Sequence, residues 1–458
     1  MLGFDDTIYA PATPIAKSGV AVIRISGPNC MNVAEHFGFK HKMEHGKACF
    51  HRLYCADGSL LDEGIVLFFA SPSSFTGEDT IELQLHGSVA VVKRALDELS
   101  SIENLRYAEP GEFAKRAFLN DKINLCQAEG LAALIDAETE MQRSVAIRQS
   151  TQQQNHQAYN LWRQTLVLAL SHLEAFIDFP AEDLPMDALA AVDEKITQFF
   201  YILEEHLTVN ATARVLRRGI KVAILGAANA GKSSLLNALA KRDMAIVSHR
   251  AGTTRDIIEL SLDVGGFLFH ISDTAGLRDT DDEIEQEGIR RSLRAFDEAD
   301  LCVVMVDTSN PDFADVLLEQ MKQSFKPYIL IYNKVDLLEQ QITLTIPSKI
   351  ADYDPEALLN ISCHQEQLAR RQVMNVLQEF AQSKYTISPE CILASERDLA
   401  LIQEMLNHVQ VYLLSTDVSM EVRCHHLRMA LSCLGRIVGK IDIEEVLDSV
   451  FGSFCIGK

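Results

Sequence analysis

The sequence predicts a multidomain chain: an α+β N-terminal domain, a discontinuous α-helical domain, and an α/β domain inserted between the two helical pieces. Three observations carry this. Short apolar runs separated by turn signals occupy residues 1–118. From about Phe113 to Leu216, Gly and Pro become sparse and Gln, Ala, Glu and Leu dominate, and helical patterns return after about Ser388. Between these stretches, continuous apolar runs alternate with helical patterns, as in a parallel sheet covered on both faces.

In the first domain, Val20 to Ile25 and Gly64 to Phe69 read as buried strands. Thr80 to Leu85 alternates apolar and polar residues, as a half-buried strand does, and a helix is expected over Val89 to Leu99. Ser26-Gly27-Pro28 and Ala56-Asp57-Gly58 are turn signals. The helical stretch breaks near Phe179-Pro180 and Pro185, and its one tryptophan, Trp162, is expected in a core. In the third region, Ile220 to Leu225, Ile257 to Leu262, Phe267 to Ile271, Leu301 to Val306 and Tyr328 to Tyr332 read as strands. The expected boundaries are 1–118, 119–217, 218–382 and 383–458, with the second and fourth pieces forming one domain.

At 458 residues the chain has room for about three domains of roughly 150 residues, and it can bury its cores without disulfide staples. Its 47% hydrophobic and 23% charged residues exclude a disordered or collagen-like chain. The formal charge is −22, from 42 basic and 64 acidic residues. Such a surface repels phosphate backbones on average and argues against generic nucleic-acid binding, leaving a local basic patch or a partner protein as routes to it. The ten cysteines form no CxxC pair, and Cys424, His425 and His426 lie adjacent without a metal-ligand spacing. Reduced thiols in a reducing compartment are expected. No apolar run is long enough to span a membrane, and Met1 to Pro14 carries no leader pattern. A cytoplasmic location is expected.

Gly226 to Ser233 (GAANAGKS) fits G-x4-G-K-S between a strand and a helix that opens at Ser234. Its glycines let backbone N–H groups of residues such as Asn229, Ala230 and Gly231 turn toward phosphate. Lys232 can reach the β/γ-phosphates, and the Ser233 hydroxyl can ligate Mg2+. Asp273-Thr274-Ala275-Gly276 ends the strand Phe267 to Ile271, with Asp273 near Mg2+ and Gly276 facing the γ-phosphate. Asn333-Lys334-Val335-Asp336 ends the strand Tyr328 to Tyr332. The Asp336 carboxylate can accept from guanine N1–H and the exocyclic amine together, a pair that adenine does not offer. Ile361-Ser362-Cys363 fits a weaker base-contacting element. Four elements in order, each at a strand end, describe a Ras-like P-loop G domain that binds GTP. Gly252 to Asp256 (GTTRD) lies where a threonine can close over Mg2+ and the γ-phosphate.

Ras-type enzymes place a water-orienting Gln shortly after the DxxG element. Here Leu277 follows Gly276 directly. Asn229 offers an amide oxygen to a monovalent cation, and K+ there could act as an arginine finger does. The acidic stretch Asp279 to Glu287 could supply a carboxylate that orients water.

Taken together, the chain resembles the tRNA modification GTPase MnmE (TrmE) family over essentially its whole length. The resemblance rests on Asp6-Thr7-Ile8, Arg24 to Pro28 (RISGP), Ser74 to Asp79 (SFTGED), His86-Gly87, Pro110 to Glu129 (PGEFAKRAFLNDKINLCQAE), the G elements and Phe454 to Lys458 (FCIGK). It implies an N-terminal domain that binds a tetrahydrofolate derivative (5-formyl or 5,10-methylene form) and pairs two chains as a homodimer. It implies a K+-stimulated GTPase that works with the FAD-dependent protein MnmG (GidA), as a heterotetramer. The complex would modify C5 of the wobble uridine, position 34, of certain tRNAs.

By the same resemblance, folate contacts fall on Arg24, Glu82, Lys122 and Lys458. Potassium contacts fall on Asn229, Ser248, Arg250 and Thr253, and magnesium contacts on Ser233 and Thr254. GTP contacts extend over Asn229 to Ser234, Ser248, Thr253, Thr254, Asp273 to Gly276, Asn333, Lys334, Asp336, Ser362 and Cys363. The water-orienting carboxylate falls on Glu285. Cys455 matches the C-terminal cysteine, either a thiol in the tRNA chemistry or buried packing. The chain departs from the family at Ala228 (Pro is usual), Cys363 (Ala is usual), Ser248 (Thr is common) and Ile15 to Gly19, where a glycine-rich turn is usual. A simple GTP switch, and a folate enzyme with a vestigial G domain, are the competing readings.

Overall fold

The structure is a computed structural model, and it describes residues 6–39, 43–151, 154–178, 186–227, 229–240, 259–273, 296–308, 326–338, 354–387, 393–415, 418–437 and 457. The chain forms two compact units, residues 1–132, 149–200 and 394–458, and residues 133–148 and 201–393.

In the first unit, strands β1 (Thr7–Pro11), β2 (Ser18–Ser26), β3 (Ala48–Tyr54), β4 (Leu60–Phe69), β5 (Thr80–Gly87) and β6 (Leu105–Tyr107) form one sheet of order β3-β4-β5-β2-β1-β6. All neighbours are antiparallel except β1 and β6. Short helix α1 (Met31–His36) and helix α2 (Val89–Ser100) join these strands. The period of two sorts the side chains. Ala21, Ile23 and Ile25 of β2 and Ile81, Leu83 and Leu85 of β5 pack in one core with Val92, Ala95 and Leu99 of α2. The intervening Arg24 and Glu82 therefore lie on the opposite face, directly across from each other in the β2–β5 register. That face also carries Ile8 and Ala10 of β1, packed on Phe113 of α3 (Glu112–Leu119) and on Phe75.

The helical part of this unit draws on distant stretches of chain. It contains α4 (Leu125–Ile135) up to Ala132, the end of α5 (Glu140–Thr151), α6 (Gln154–Asp178), α7 (Met186–Arg218) as far as Phe200, α10 (Glu396–Leu414) and α11 (Met420–Ile437). Asp193 in α7 accepts from the Tyr412 hydroxyl at 2.7 Å and pairs with Arg423, two residues that follow it by more than 200 positions. Trp162 is buried between Tyr159 and Phe199, edge to face with both. The discontinuous helical domain is thus present in the fold.

In the second unit, β7 (Ile220–Gly226), β8 (Glu259–Val264), β9 (Phe267–Asp273), β10 (Leu301–Asp307), β11 (Tyr328–Asn333) and β12 (Ala357–Asn360) form a sheet of order β12-β11-β10-β7-β9-β8. Only the β8–β9 pair is antiparallel. Both faces are covered, as the continuous apolar runs require. Val222, Val303 and Ile329 lie in a core with Leu235 of α8 (Lys232–Ala240) and Leu377 of α9 (Glu366–Lys384). Ala223, Val304 and Leu330 lie in a second core with Phe296. This strand order, with one antiparallel edge, is the Ras-like α/β architecture. It sets the ends of β7, β10 and β11 side by side at the carboxyl edge, where α/β folds hold ligands.

Candidate functional site

The carboxyl ends of β7 and β11 carry the first site. After Gly226 the chain turns through a loop into α8. Asn229 is left-handed with φ of 64°, and Gly231 has φ of 103°. A Cβ on Gly231 would stand 2.1 Å from Asn333 Nδ2, so only glycine fits. Lys232 is buried, and its Nζ donates to the Gly226 and Ala227 carbonyls at 2.8 Å each. These bonds hold the ammonium inside the curl of the loop, at the positive end of α8.

Asn333 ends β11 and is almost fully buried. Its Nδ2 donates to the Ala230 carbonyl at 2.8 Å, and its Oδ1 accepts from Cys363 N–H at 3.0 Å. One amide thereby fastens the phosphate loop to the loop after β12. Lys334 is left-handed, its Nζ is 2.5 Å from Asp307 Oδ2, and its carbonyl accepts from Thr308 Oγ1. Asp336 lies in a short turn of 3-10 helix, Val335–Leu337, and is exposed. The Ser362 hydroxyl, which makes no hydrogen bond of regular geometry among the described residues, faces this carboxylate. Ser362 holds Asp336 below the usual carboxylate range, and His364 adds to this. Asp336 therefore stays ionised, as an acceptor for two N–H groups must.

A cavity of about 600 Å³ opens between these loops, lined by Asn229, Gly231, Ser234, Asn333, Lys334, Ser362 and Cys363, together with Asn237 and Ala240 of α8, His364 and Glu366. Its volume suits a nucleotide. Seven residues singled out from the sequence meet here. Asn237, Ala240, His364 and Glu366 were not expected, because they belong to no motif and reach the cavity only through the position of α8 and the start of α9. Burial raises the Cys363 thiol, so it lines the cavity as a neutral group. Ala228, Ser248, Arg250, Thr253, Thr254, Thr274, Ala275, Gly276 and Glu285 lie outside the described residues, as does the side chain of Asp273.

The second site is on the β2–β5 face. Arg24 Nε and Nη2 reach Glu82 Oε1 at 2.9 and 2.8 Å. The Arg24 guanidinium lies 5.5 Å from the Phe75 ring centre and 5.9 Å from that of Phe113. Lys122 Nζ donates to the Pro72 carbonyl at 2.8 Å, and its stem runs past Gly77. The loop holding Phe75 thus lies between Arg24 and Lys122. Gly457, with φ of 104°, presses on the end of β1, where a Cβ would meet the Pro11 carbonyl at 2.2 Å. The neighbouring Ala10 pairs with Arg24. Three of the expected folate residues and the tail glycine before the fourth therefore border one region. Cys455 and Lys458 themselves lie outside the described residues.

The motifs behind the resemblance converge on a residue that sequence reasoning did not single out. Arg116 is fully buried and pairs with Asp6, Glu78 and Glu112 at 2.7, 3.2 and 3.0 Å. Glu78 also accepts from Ser26 Oγ at 2.8 Å, and Asn120 Nδ2 donates to the Thr76 carbonyl. Arg106 completes the cluster on Asp6 and Glu112. Burial pushes both acids up, but the Arg106 and Arg116 guanidiniums more than offset this and hold Asp6 and Glu112 below the usual range. Much of the sequence signature around the second site is therefore an ion network that fixes its loops. Removing a buried member, Arg116 or Glu112, costs about 3–5 kcal/mol.

Comparison with known proteins agrees with this geometry. Residues 7–122 match the family model of the GTP-binding protein TrmE N-terminus, and residues 125–455 match that of the MnmE helical domain. A tRNA modification GTPase MnmE of Ehrlichia chaffeensis is 41% identical over 99% of this chain and 100% of its own length. Its counterpart in Chelativorans sp. is 40% identical over 99% of this chain and 98% of its own, and that of Wolbachia pipientis is 39% identical over 100% of both. The relatives match across both compact units, and the chain belongs to the MnmE family of tRNA modification GTPases.

Proposed function

We propose that this chain is a K+-stimulated GTPase that acts, with an FAD-dependent partner of the MnmG type, on C5 of the wobble uridine of certain tRNAs. GTP hydrolysis in tRNA modification follows the family. The observation that carries the reading is the single cavity where the phosphate loop meets the guanine-reading loops, with Asn333 bonded to both. The loops around it have plain tasks: Lys232 and the N–H groups of the phosphate loop bind phosphate, and Asp336, beside the cavity-lining Ser362 and Cys363, selects guanine. Glu285 orients the attacking water.

The donor set fits two cations. Asn229 presents its side chain at the cavity from a left-handed backbone, and Ser233 stands in the first turn of α8. Asn229, Ser248, Arg250 and Thr253 would hold K+, and Ser233 and Thr254 would hold Mg2+; both ions supply positive charge against the phosphates. The second site fits a tetrahydrofolate derivative, since a guanidinium, a carboxylate and aromatic rings adjoin there. Arg24, Glu82, Lys122 and Lys458 would hold that group, which supplies a one-carbon unit. Cys455 would be placed by the same tail.

The proposed assembly is a homodimer joined to the partner as a heterotetramer in the cytoplasm. Its working parts are residues 1–118, the helical pieces 119–217 and 383–458, and the G domain 218–382. The test is mass spectrometry of wobble uridines in tRNA from cells lacking this protein, with and without rescue. Uridine without its C5 group in the deletion strain, restored by rescue, is expected. Fully modified tRNA in the deletion strain would overturn the proposal.

A further inference from the structure

Helices α10 and α11 lie next to each other in the chain and pack together. His408 and His426 stand six positions from Leu414 and Met420, the facing ends of the two helices, so they meet across the hairpin. Their Nδ1 atoms are 3.2 Å apart, the ring centres are 5.5 Å apart and the planes are tilted by 39°. Both residues are half-buried, so the rings are held by their surroundings and are still reachable from solvent.

The geometry points to a two-histidine clamp for a divalent transition-metal ion, formed by His408 and His426 through their Nδ1 atoms. With Zn–N of about 2.0–2.1 Å and a tetrahedral angle, two imidazole nitrogens on one ion stand about 3.3 Å apart. The spacing already present is within a small ring rotation of that value. Without metal, the two Nδ1 atoms share a hydrogen bond, one donating to the other; ligation replaces that bond and needs neutral imidazoles with the proton on Nε2. Burial holds His426 below the ordinary imidazole value, and the neighbouring His408 and His425 add to this. Imidazole nitrogen favours Zn2+, Ni2+ or Cu2+ over Mg2+, so this site selects different ions from the phosphate loop. Among the described residues no group of three or more His, Cys, Asp and Glu side chains is arranged around an ion. Water therefore completes the coordination, and affinity is that of a two-point site, far below a structural zinc centre. A bound ion ties α10 to α11 and stabilises the folded hairpin by mass action.

The test uses the full chain after chelator treatment. Equilibrium dialysis against NiCl2 or ZnCl2, raised until binding saturates, should show a site of about one ion per chain that needs both histidines, and the unfolding temperature should rise with these ions and not with MgCl2. His408→Gln and His426→Gln should each abolish both effects, while His425→Gln keeps them. The far-ultraviolet circular dichroism of each variant, measured without metal and set against the wild type, checks that the helices are still formed. In the wild type, the electron paramagnetic spectrum of bound Cu2+ should show two nitrogen ligands, which keeps the test open should a variant unfold. Absence of binding by the wild type, binding that survives both variants, loss in His425→Gln alone, or a copper spectrum without nitrogen ligands would each overturn the assignment.

Discussion

Asn229 is a residue whose backbone and side chain have separate consequences. Its left-handed backbone shapes the phosphate loop, and its amide is the proposed K+ ligand. The two can be separated experimentally. Alanine in that conformation costs roughly 1 kcal/mol, while glycine adopts it freely. With cations at equal ionic strength, GTP turnover should be roughly tenfold or more faster in KCl than in NaCl, the scale on which a placed charge acts on a transition state. Both Asn229→Ala and Asn229→Gly should remove that difference while GTP binding stays largely intact. Loss in the alanine variant alone would assign the effect to backbone strain, and stimulation surviving in both would show that the cation site is misplaced. The neighbouring Asn333 shows what sequence reading misses at this scale. The motif places it among the GTP contacts, but its buried amide also spans two loops, to Ala230 and Cys363, and no local pattern predicts that.

At the scale of elements, the first turn of α10 stores a pH dependence. Ser395 caps the helix by accepting from Asp398 N–H at 3.0 Å. Asp398 itself is buried, and burial pushes its carboxyl up to about 6, against the smaller lowering by Arg397 and Ser395. The folded carboxyl thus holds its proton more tightly than the unfolded one, whose value is about 3.9. Its stabilising contribution is fully present below about pH 4 and is lost as pH rises through about 6. A shift of about two units corresponds to roughly 3 kcal/mol at most. Asp398→Asn should therefore raise the urea midpoint at pH 8 by an amount worth about 1–3 kcal/mol and leave it nearly unchanged at pH 4. A gain at pH 4 equal to that at pH 8 would show that ionisation of Asp398 is not the cause. Legibility also divides at this scale. β2, β4, β5, β7, β10, β11 and α2 were readable because each carries a period of two, a helical period or a continuous apolar run. β1, β3, β6 and β12 were not, because they are short or carry charged and polar residues on an open face. The motifs of the G site were legible because each is contiguous in sequence. The Arg116 network was not, since Asp6 and Arg116 lie 110 residues apart and meet only through the sheet.

For the whole molecule, the charge of −22 has to be reconciled with a nucleic-acid substrate. A protein that grips tRNA alone neutralises many phosphates and releases counterions, giving a steep fall of affinity with salt. Several cations here are already committed within the fold. Arg116 and Arg106 are tied to Asp6 and Glu112, Arg24 to Glu82, and Arg423 to Asp193. The division of labour we propose gives this chain the nucleotide and folate chemistry, and gives the proposed flavoprotein partner much of the tRNA surface. Fluorescence anisotropy with labelled tRNA between 50 and 200 mM KCl measures this. The chain alone should bind more weakly than about 10 µM near physiological salt, within the non-specific range, with a log–log slope shallower than about −3. Adding the partner should tighten binding and steepen the slope together, since both report phosphates newly neutralised. A chain that binds tRNA tightly by itself with a slope near −6 would have to carry a concentrated basic surface, and the proposed division would be wrong.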